Sequence, residues 1–387
     1  MNKKELELYI HIPFCVRKCS YCDFLSAPAT EQTREAYMAA LFAEIGGRAK
    51  DYSDRTVTSI FIGGGTPSLL SGEQIGQLMD RIREQFAMAQ DAEITMEVNP
   101  GTARAEKLRN FYTAGINRLS IGMQSAQAEE LKNLGRIHDF EGFCQVYREA
   151  VEAGFTNINV DIMSGLPGQT LASYRDTLEK VLHLEPMPQH ISAYSLIVEE
   201  GTPFAAMAER GELPLPEEET ERAMYEETIE VLAKYGFHRY EISNYARDGY
   251  ECRHNVGYWI RRDYLGFGIG AASLIDNVRF QNEKSLGAYL AHPLESREEE
   301  QTLTVQDRME ETMFLGLRLT RGVSCVDFAE QYGRTVEEVY GEVIARNVAD
   351  GLLTVTERKE NQKKDRLLAL TKRGLDLSNY VMAQFLF

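Results

Sequence analysis

The sequence predicts an α/β protein built on a parallel β-sheet, followed by a smaller C-terminal domain. Two observations predict the sheet: short apolar segments recur along residues 6–197, and amphipathic helical patterns separate them. Successive β-α units of this kind form parallel sheets. Six units fit either an open doubly wound sheet or a barrel that is two units short of eight. The alternation alone does not decide between the two.

Each predicted strand is a short apolar run bounded by turn residues. The six strands are Leu6–Ile12, Thr58–Ile62, Glu93–Val98, Arg118–Met123, Asn157–Met163 and His190–Leu196. The intervening helices carry apolar residues three or four positions apart, as at Leu171, Tyr174 and Leu178. Ser71 and Gln74 form a capping-box pattern that marks the start of one helix.

Length, composition and charge narrow the class of protein. A chain of 387 residues can bury a sizeable core and predicts one large and one small domain. The net charge of −17 argues against a nucleic-acid partner, because phosphate binding needs a basic surface. Residues 1–14 lack the apolar core of a signal peptide, and no apolar stretch reaches the ~20 residues of a membrane span. We therefore expect a cytoplasmic protein without an integral membrane span.

Three of the six cysteines lie within eight residues directly after the first strand, as Cys15, Cys19 and Cys22. Thiols spaced C-x3-C-x2-C converge on one centre. A structural zinc or a fully protein-ligated cubane cluster uses four ligands, so three thiolates on a [4Fe–4S] cluster leave one iron open. The alternatives are a disulfide with a spare thiol, which a reducing cytoplasm disfavours, and a zinc site completed by His11 or a distant cysteine.

Polar and glycine-rich residues follow the other strands. In parallel sheets and barrels, ligands bind at the C-terminal ends of the strands. These ends carry the turn of residues 63–67, Glu97, Gln124 with Arg136 twelve residues later, and Asp161. Each residue taken alone is equally well explained as a turn or helix-cap residue. Together they predict one ligand site at this end of the sheet.

These segments resemble the coproporphyrinogen dehydrogenase/HemW branch of the radical S-adenosylmethionine (radical SAM) superfamily. The resemblance rests on YIHIPFC at 9–15, GGGTP at 63–67, EVNP at 97–100, SIGMQS at 120–125 and GLPGQT at 165–170, and it covers nearly the whole chain. It implies a partial (β/α)6 barrel, a [4Fe–4S] cluster on the three cysteines, and S-adenosylmethionine (SAM) on the open iron. By motif position, the residues implied to contact SAM are Tyr9, Tyr21, Gly64, Gly65, Thr66, Glu97, Gln124, Arg136 and Asp161.

Two departures from the dehydrogenase indicate a different function. Phe24 stands where the dehydrogenase has a further cysteine, and only five residues precede Leu6 in place of its N-terminal extension. Both features match the shorter HemW-type relatives, which are haem chaperones.

We therefore expect a protein that binds haem and delivers it to apo-haemoproteins, respiratory enzymes among them. Decarboxylation of coproporphyrinogen III is the alternative, and another radical SAM activity such as RNA modification is disfavoured by the charge. The oligomeric state stays open, with a dimer among the options.

The sequence divides into a barrel over residues 1–235, a connecting segment over 236–300 and a C-terminal HemN-type domain over 301–387. The connecting segment contains HNxxYW at residues 254–259, which resembles a HemW-type signature. His254 is a candidate axial haem ligand, since imidazole is the usual one, with Cys252, Tyr258 and Trp259 beside it. Alternatively, His254 satisfies buried polar groups beside an aromatic packing corner.

The C-terminal domain predicts a winged-helix-like order of helices and a two-stranded wing. The elements are Val326–Tyr332, Thr335–Ala349, Gly351–Val355 and Arg366–Leu370. The helix in the position of a DNA-recognition helix is acidic, and its acidic residues outnumber the single Arg346. These residues are Glu337, Glu338, Glu342 and Asp350. Because this surface would repel phosphate, we expect the domain to act as a lid or partner surface.

Overall fold

A parallel arrangement of six strands dominates the computed structural model, which describes residues 3–360 and 363–386. The strands are β1 Lys4–Ile12, β2 Arg55–Gly64, β3 Ala87–Val98, β4 Arg118–Gln124, β5 Ile158–Ser164 and β6 His190–Ser195. They lie side by side in sequence order, and every pair is parallel. A doubly wound sheet would reverse its strand order at a switch point. The unreversed order is that of a partial (β/α)6 barrel, which confirms the predicted fold and all six strands.

Helices connect the strands and cover the outer face of the barrel. They are α1 Glu31–Arg48, α2 Gly72–Gln85, α3 Ala105–Thr113, α4 Ala128–Asn133, α5 Phe140–Ala153 and α6 Leu171–Leu182, with short 3-10 turns at Ala49–Tyr52 and Pro67–Leu69. The side chain of Ser71 accepts from the backbone N–H of Gln74, and the Gln74 side chain accepts from the backbone N–H of Ser71. The capping box predicted for α2 is therefore present.

Residues 203–302 extend the sheet at both edges. The elements are α7 Pro203–Glu209, α8 Glu218–Lys234, β7 His238–Arg239, β8 Asn244–Ala246, α9 Arg253–Trp259, β9 Tyr264–Phe267, β10 Ala272–Ile275, β11 Val278–Asn282, α10 Leu286–Ala291 and β12 Arg297–Thr302. Strand β9 pairs parallel to β1, with Tyr264 opposite Glu7, and β8 pairs antiparallel to β6. The segment that the sequence suggested as a connection thus supplies a seventh parallel strand.

The two faces of β1 show how the barrel separates its core from its lumen. Leu6, Leu8 and Ile10 are fully buried in the main hydrophobic core. Successive side chains of a strand point to opposite faces, so Glu7 and Tyr9 point into the barrel. The lumen is therefore lined by polar and aromatic side chains.

The C-terminal domain has a hydrophobic core of its own. Its elements are α11 Val305–Gly316, β13 Val323–Ser324, α12 Cys325–Tyr332, α13 Val336–Ala349, β14 Leu353–Glu360, β15 Lys363–Leu370, α14 Lys372–Asp376 and α15 Ser378–Ala383. The antiparallel strand order β13-β15-β14 gives the winged-helix-like arrangement that the sequence predicts. In the described part of the chain, every helix is too short or too polar to span a membrane.

Candidate functional site

The three clustered cysteines lie on one loop that follows β1 at the mouth of the barrel. The loop is closed at its base, where Cys15 N–H donates to the Ala27 carbonyl oxygen at 3.1 Å and Ala27 N–H donates to that of Pro13 at 3.0 Å. A turn between Cys19 and Cys22 follows, with 3.3 Å between the Cys22 nitrogen and the Cys19 oxygen. All three side chains are free thiols and partly exposed. They are therefore available as ligands on one short segment.

The glycine-rich turn after β2 is fastened to this loop. Gly65 N–H donates to the Ile12 carbonyl oxygen at 2.8 Å, and Thr66 N–H donates to that of Phe14 at 2.7 Å. The Thr66 hydroxyl lies 3.5 Å from the Cys15 sulfur. A Cβ atom on residue 65 would lie 2.7 Å from the Phe14 oxygen, so only glycine permits this approach. The turn therefore presents its backbone next to the first thiol.

Glu97 lies beside the same turn, at the end of β3. Its Oε2 accepts a hydrogen bond from Gly64 N–H at 3.1 Å, and Gly64 has a left-handed φ of 110°. Burial, with the nearby charge of Asp161 adding to it, raises the pKa of Glu97 to about 8 against the opposing effect of the Gly64 hydrogen bond. A carboxyl group in this state ionises most readily when a cation comes close. Glu97 is thus suited to a ligand that carries positive charge.

Arg136 and Gln124 meet at the end of β4 with polar atoms left unpaired. Arg136 Nη2 donates to the Gly122 carbonyl oxygen at 2.7 Å, and its Nη1 lies 3.9 Å from the Cys19 sulfur. Arg136 Nε and Gln124 Oε1 are buried without a hydrogen-bond partner. Gln124 also has a left-handed φ of 69°, which is costly for a residue with a side chain and is typical of functional sites. Buried polar atoms normally have partners, so these two favour a bound ligand here.

Asp161 is held in place on β5 by three donors. These are the Ser120 hydroxyl at 3.2 Å, Asn159 Nδ2 at 2.7 Å and the Tyr194 hydroxyl at 3.0 Å. The sequence places Tyr194 at the C-terminal end of the sixth strand, where the other strands supply their site residues, but the motifs do not name it as a SAM contact. Its hydrogen bond to Asp161 adds it to the site.

The two tyrosines predicted to contact SAM, Tyr9 and Tyr21, contact other residues of the protein in this structure. The Tyr9 hydroxyl lies 3.0 Å from His11 Nδ1, and His11 Nε2 lies 2.9 Å from the Leu25 carbonyl oxygen. Tyr21 packs in an apolar cluster with Leu134 and Phe204.

The surroundings of His11 disfavour a zinc site completed by this residue, because both of its ring nitrogens are already hydrogen-bonded. Within residues 3–360 and 363–386, no three Cys, His, Asp or Glu side chains are grouped as ligands of a single ion.

The residues proposed for haem lie at the opposite, N-terminal end of the barrel. Helix α9 enters the lumen there, and His254 is buried with Nδ1 2.9 Å from the Ser59 hydroxyl and Nε2 3.0 Å from that of Tyr258. Its ring stacks on Phe61, and burial lowers its pKa to about 3, with the charge of Arg118 adding to the effect. A haem iron would reach this imidazole only after one of these hydrogen bonds breaks.

Cys252 and Trp259 are, like His254, already in contact with other side chains of the protein. The Cys252 thiol is fully buried with its sulfur 3.5 Å from Glu93 Oε1, and burial raises its pKa to about 12. The Arg318 guanidinium lies over the Trp259 ring at 4.3 Å, which connects α9 to the segment after α11. The structure therefore does not bring the HNxxYW residues together with the three cysteines. Their contacts instead match the alternative interpretation of this motif, in which His254 satisfies buried polar groups beside packed aromatic side chains.

Comparison with known proteins identifies the family. The radical SAM superfamily signature matches residues 9–181, and that of the HemN C-terminal domain matches residues 303–377. The protein named heme chaperone HemW from Bacillus subtilis is 38% identical over 98% of this chain and 98% of its own length. The chain belongs to the HemW family. HemW from Escherichia coli is 37% identical over 90% of this chain and 92% of its own length.

A solved structure shares the fold over nearly the whole chain. Coproporphyrinogen III oxidase (HemN) from Escherichia coli, described as a radical SAM enzyme, has a TM-score of 0.84 and 28% sequence identity. The match covers 99% of this chain and 90% of that one. The superfamily implies a [4Fe–4S] cluster and SAM. The mouth of this barrel fits both groups, because three free thiols lie on one loop beside unpaired buried atoms of Arg136 and Gln124.

Proposed function

We propose that this protein is a cytoplasmic haem chaperone that binds a [4Fe–4S] cluster, SAM and haem and delivers haem to apo-haemoproteins, respiratory enzymes among them. One observation carries the proposal. In a chain of the HemW family, three free thiols and the unpaired buried atoms of Gln124 and Arg136 occupy the same end of the barrel.

Cys15, Cys19 and Cys22 would hold the cluster, which when bound supplies an iron with an open coordination position for the amino and carboxylate groups of SAM. Burial raises the pKa of the Cys22 thiol, so metal binding has to draw a proton from it. The Thr66 hydroxyl, 3.5 Å from the Cys15 sulfur, donates to that thiolate and stabilises its charge.

The residues around the thiols have separate roles toward SAM. Arg136 pairs with the carboxylate through a guanidinium that Gly122 already orients. The backbone groups of Gly65 and Thr66 approach the methionine portion, and Asp161 accepts hydrogen bonds from ribose hydroxyls. Because Ser120, Asn159 and Tyr194 hold the Asp161 carboxylate, binding costs little reorganisation.

Exposed apolar side chains surround the mouth and support haem binding there. Four of them come from three different loops: Val16, Phe24, Ile137 and Ile197, with 52%, 61%, 41% and 66% of their surface exposed. Exposed apolar residues gathered in one place are typical of binding surfaces. A flat apolar macrocycle could cover this rim. By contrast, the candidate ligands at α9 are not free to bind haem iron, because both ring nitrogens of His254 are hydrogen-bonded and the thiol of Cys252 is buried.

Two anaerobic measurements test the function. Haem is titrated into cluster-loaded protein and followed by the Soret band, and coproporphyrinogen III is incubated with the protein, SAM and a reductant. We expect saturable haem binding at micromolar protein and no protoporphyrinogen. Formation of protoporphyrinogen would assign the dehydrogenase activity instead, and a haem spectrum that never saturates would contradict the chaperone role.

A further inference from the structure

A cavity of about 410 Å³ lies beside the cysteine loop, between that loop and the segment from α4 to the start of α5. Its floor is fastened by hydrogen bonds. Ser20 N–H donates to the Leu134 carbonyl oxygen at 3.1 Å, and Arg17 Nη2 donates to that of Gly135 at 2.7 Å. The cavity therefore begins one residue from Cys19 and is built on the same loop as the thiols.

The cavity is positively charged on a chain whose net charge is −17. Four cationic side chains line it: Arg17, Lys18, Lys132 and Arg136. The carboxylate in its lining belongs to Asp139, which accepts from Gly142 N–H at 2.8 Å as the cap of α5. Burial, together with the charge of Arg136, lowers the pKa of His138 to about 4, so this imidazole adds no positive charge at neutral pH. The local excess of positive charge favours an anionic ligand.

Two of these cations are available to a ligand. Lys18 is exposed and has no hydrogen bond or ion pair in the described part of the chain. Lys132 is paired with Glu129 at 3.2 Å, but both side chains are more than 70% exposed. Exposed pairs of this kind contribute little, so a ligand carboxylate can replace Glu129 at low cost.

Apolar side chains lie next to the charges. Val16 and Ile137 precede and follow cationic residues of the cavity, and both are exposed at the mouth. The arrangement matches an amphipathic ligand with a flat apolar body and carboxylates at one edge.

We propose that this cavity binds the propionate carboxylates of haem and thereby orients the macrocycle on the barrel mouth. Lys18 and Lys132 receive the carboxylates, while Val16 and Ile137 contact the apolar edge of the ring. The inference rests on the proposed haem-binding function and adds the position and orientation of the ligand.

The test compares haem with its dimethyl ester, which keeps the ring but lacks the carboxylate charges, on cluster-loaded full-length protein. Loss of two exposed charge-assisted contacts predicts that Lys18→Gln/Lys132→Gln binds haem about tenfold or more weakly and the ester unchanged. The Lys50→Gln/Lys372→Gln variant removes two exposed lysines outside the cavity and controls for net charge. Cluster content measured by iron analysis verifies that the loop is intact.

The outcomes are distinguishable. A tenfold preference of the natural chain for haem over the ester, lost in Lys18→Gln/Lys132→Gln alone, supports the proposal. Unchanged haem binding in that variant overturns it while leaving the haem-binding function standing. The proposal is also overturned if the variant binds haem normally and its only defect is slower reduction of the cluster by an acidic electron-carrier protein. If the natural chain binds neither compound, both the function and the cavity assignment fail.

Discussion

Nη1 of Arg136 lies 3.9 Å from the sulfur of Cys19, so one guanidinium connects the cysteine loop to the end of β4. Its Nη2 is taken by the Gly122 carbonyl oxygen, whereas its Nε is buried and unpaired. The cation therefore lies between the metal-binding loop and the ligand-binding strand ends. The thiolate loop and the SAM-binding residues are expected to act as one unit.

Replacing Cys15, Cys19 or Cys22 by Ala should abolish the [4Fe–4S] cluster, because each thiol is a ligand. Iron and sulfide counts after anaerobic reconstitution should fall from about four irons per chain to a small fraction of that. Cys144→Ala is the matched control and should keep the cluster. Full iron content in Cys19→Ala would show that the cluster is bound elsewhere.

Removing a charged contact to SAM should weaken its binding without removing the cluster. Arg136→Ala and Asp161→Ala should each cost ~1.5–3 kcal/mol, which is about tenfold to a hundredfold in affinity. Calorimetric titration of SAM into reconstituted protein measures this. Arg81→Ala, at a half-buried arginine on α2 far from the strand ends, serves as the control. Unchanged affinity in both site variants would place SAM outside the barrel mouth.

Glu7 should make stability fall as pH rises. It is fully buried, burial raises its pKa to about 8, and the partly compensating charge is that of Arg262. The folded state therefore holds a proton that the unfolded state has lost between pH 4.5 and 8, so folding is favoured below this window and weakened through it. Glu7→Gln removes the effect, so its gain in stability over the natural chain should already be present at pH 6 and should be larger at pH 9 by on the order of a few kcal/mol.

Thermal unfolding at the two pH values measures this difference. Glu5→Gln is the control, since Glu5 also pairs with Arg262 but is mostly exposed. Equal gains at pH 6 and pH 9 would rule out the titration of Glu7 as the cause.

His254→Ala should destabilise the fold rather than remove a haem ligand. The variant leaves the Ser59 and Tyr258 hydroxyls without their partner and opens a cavity next to Phe61, which predicts a loss of about 2–4 kcal/mol in urea unfolding. His183→Ala, at an exposed histidine, should change stability little. If folded His254→Ala protein loses the Soret band of the haem complex while keeping its unfolding free energy, His254 is the iron ligand after all.

The sequence predicts best those features of the fold and the site that depend on residues close together in the chain. The six strands follow from apolar runs between amphipathic helices, and the three thiols lie on one loop because eight residues contain them. By contrast, β9 spans only Tyr264–Phe267, too short a run to stand out, and its partner β1 is far away in the chain. A motif also does not say at which end of a barrel it lies, so the position of HNxxYW needed the tertiary structure.

The pairing of Glu7 with Tyr264 has a consequence for how the chain folds. Strand β1 is synthesised first, yet one of its edges stays without a neighbour until β9 has emerged. Contacts between residues so distant in sequence slow folding, and an uncovered strand edge invites pairing with other chains. The cysteine loop hangs from this strand. Loading of the metal centre is therefore expected late in biogenesis, and nascent chains that stop short of β9 should be prone to aggregation.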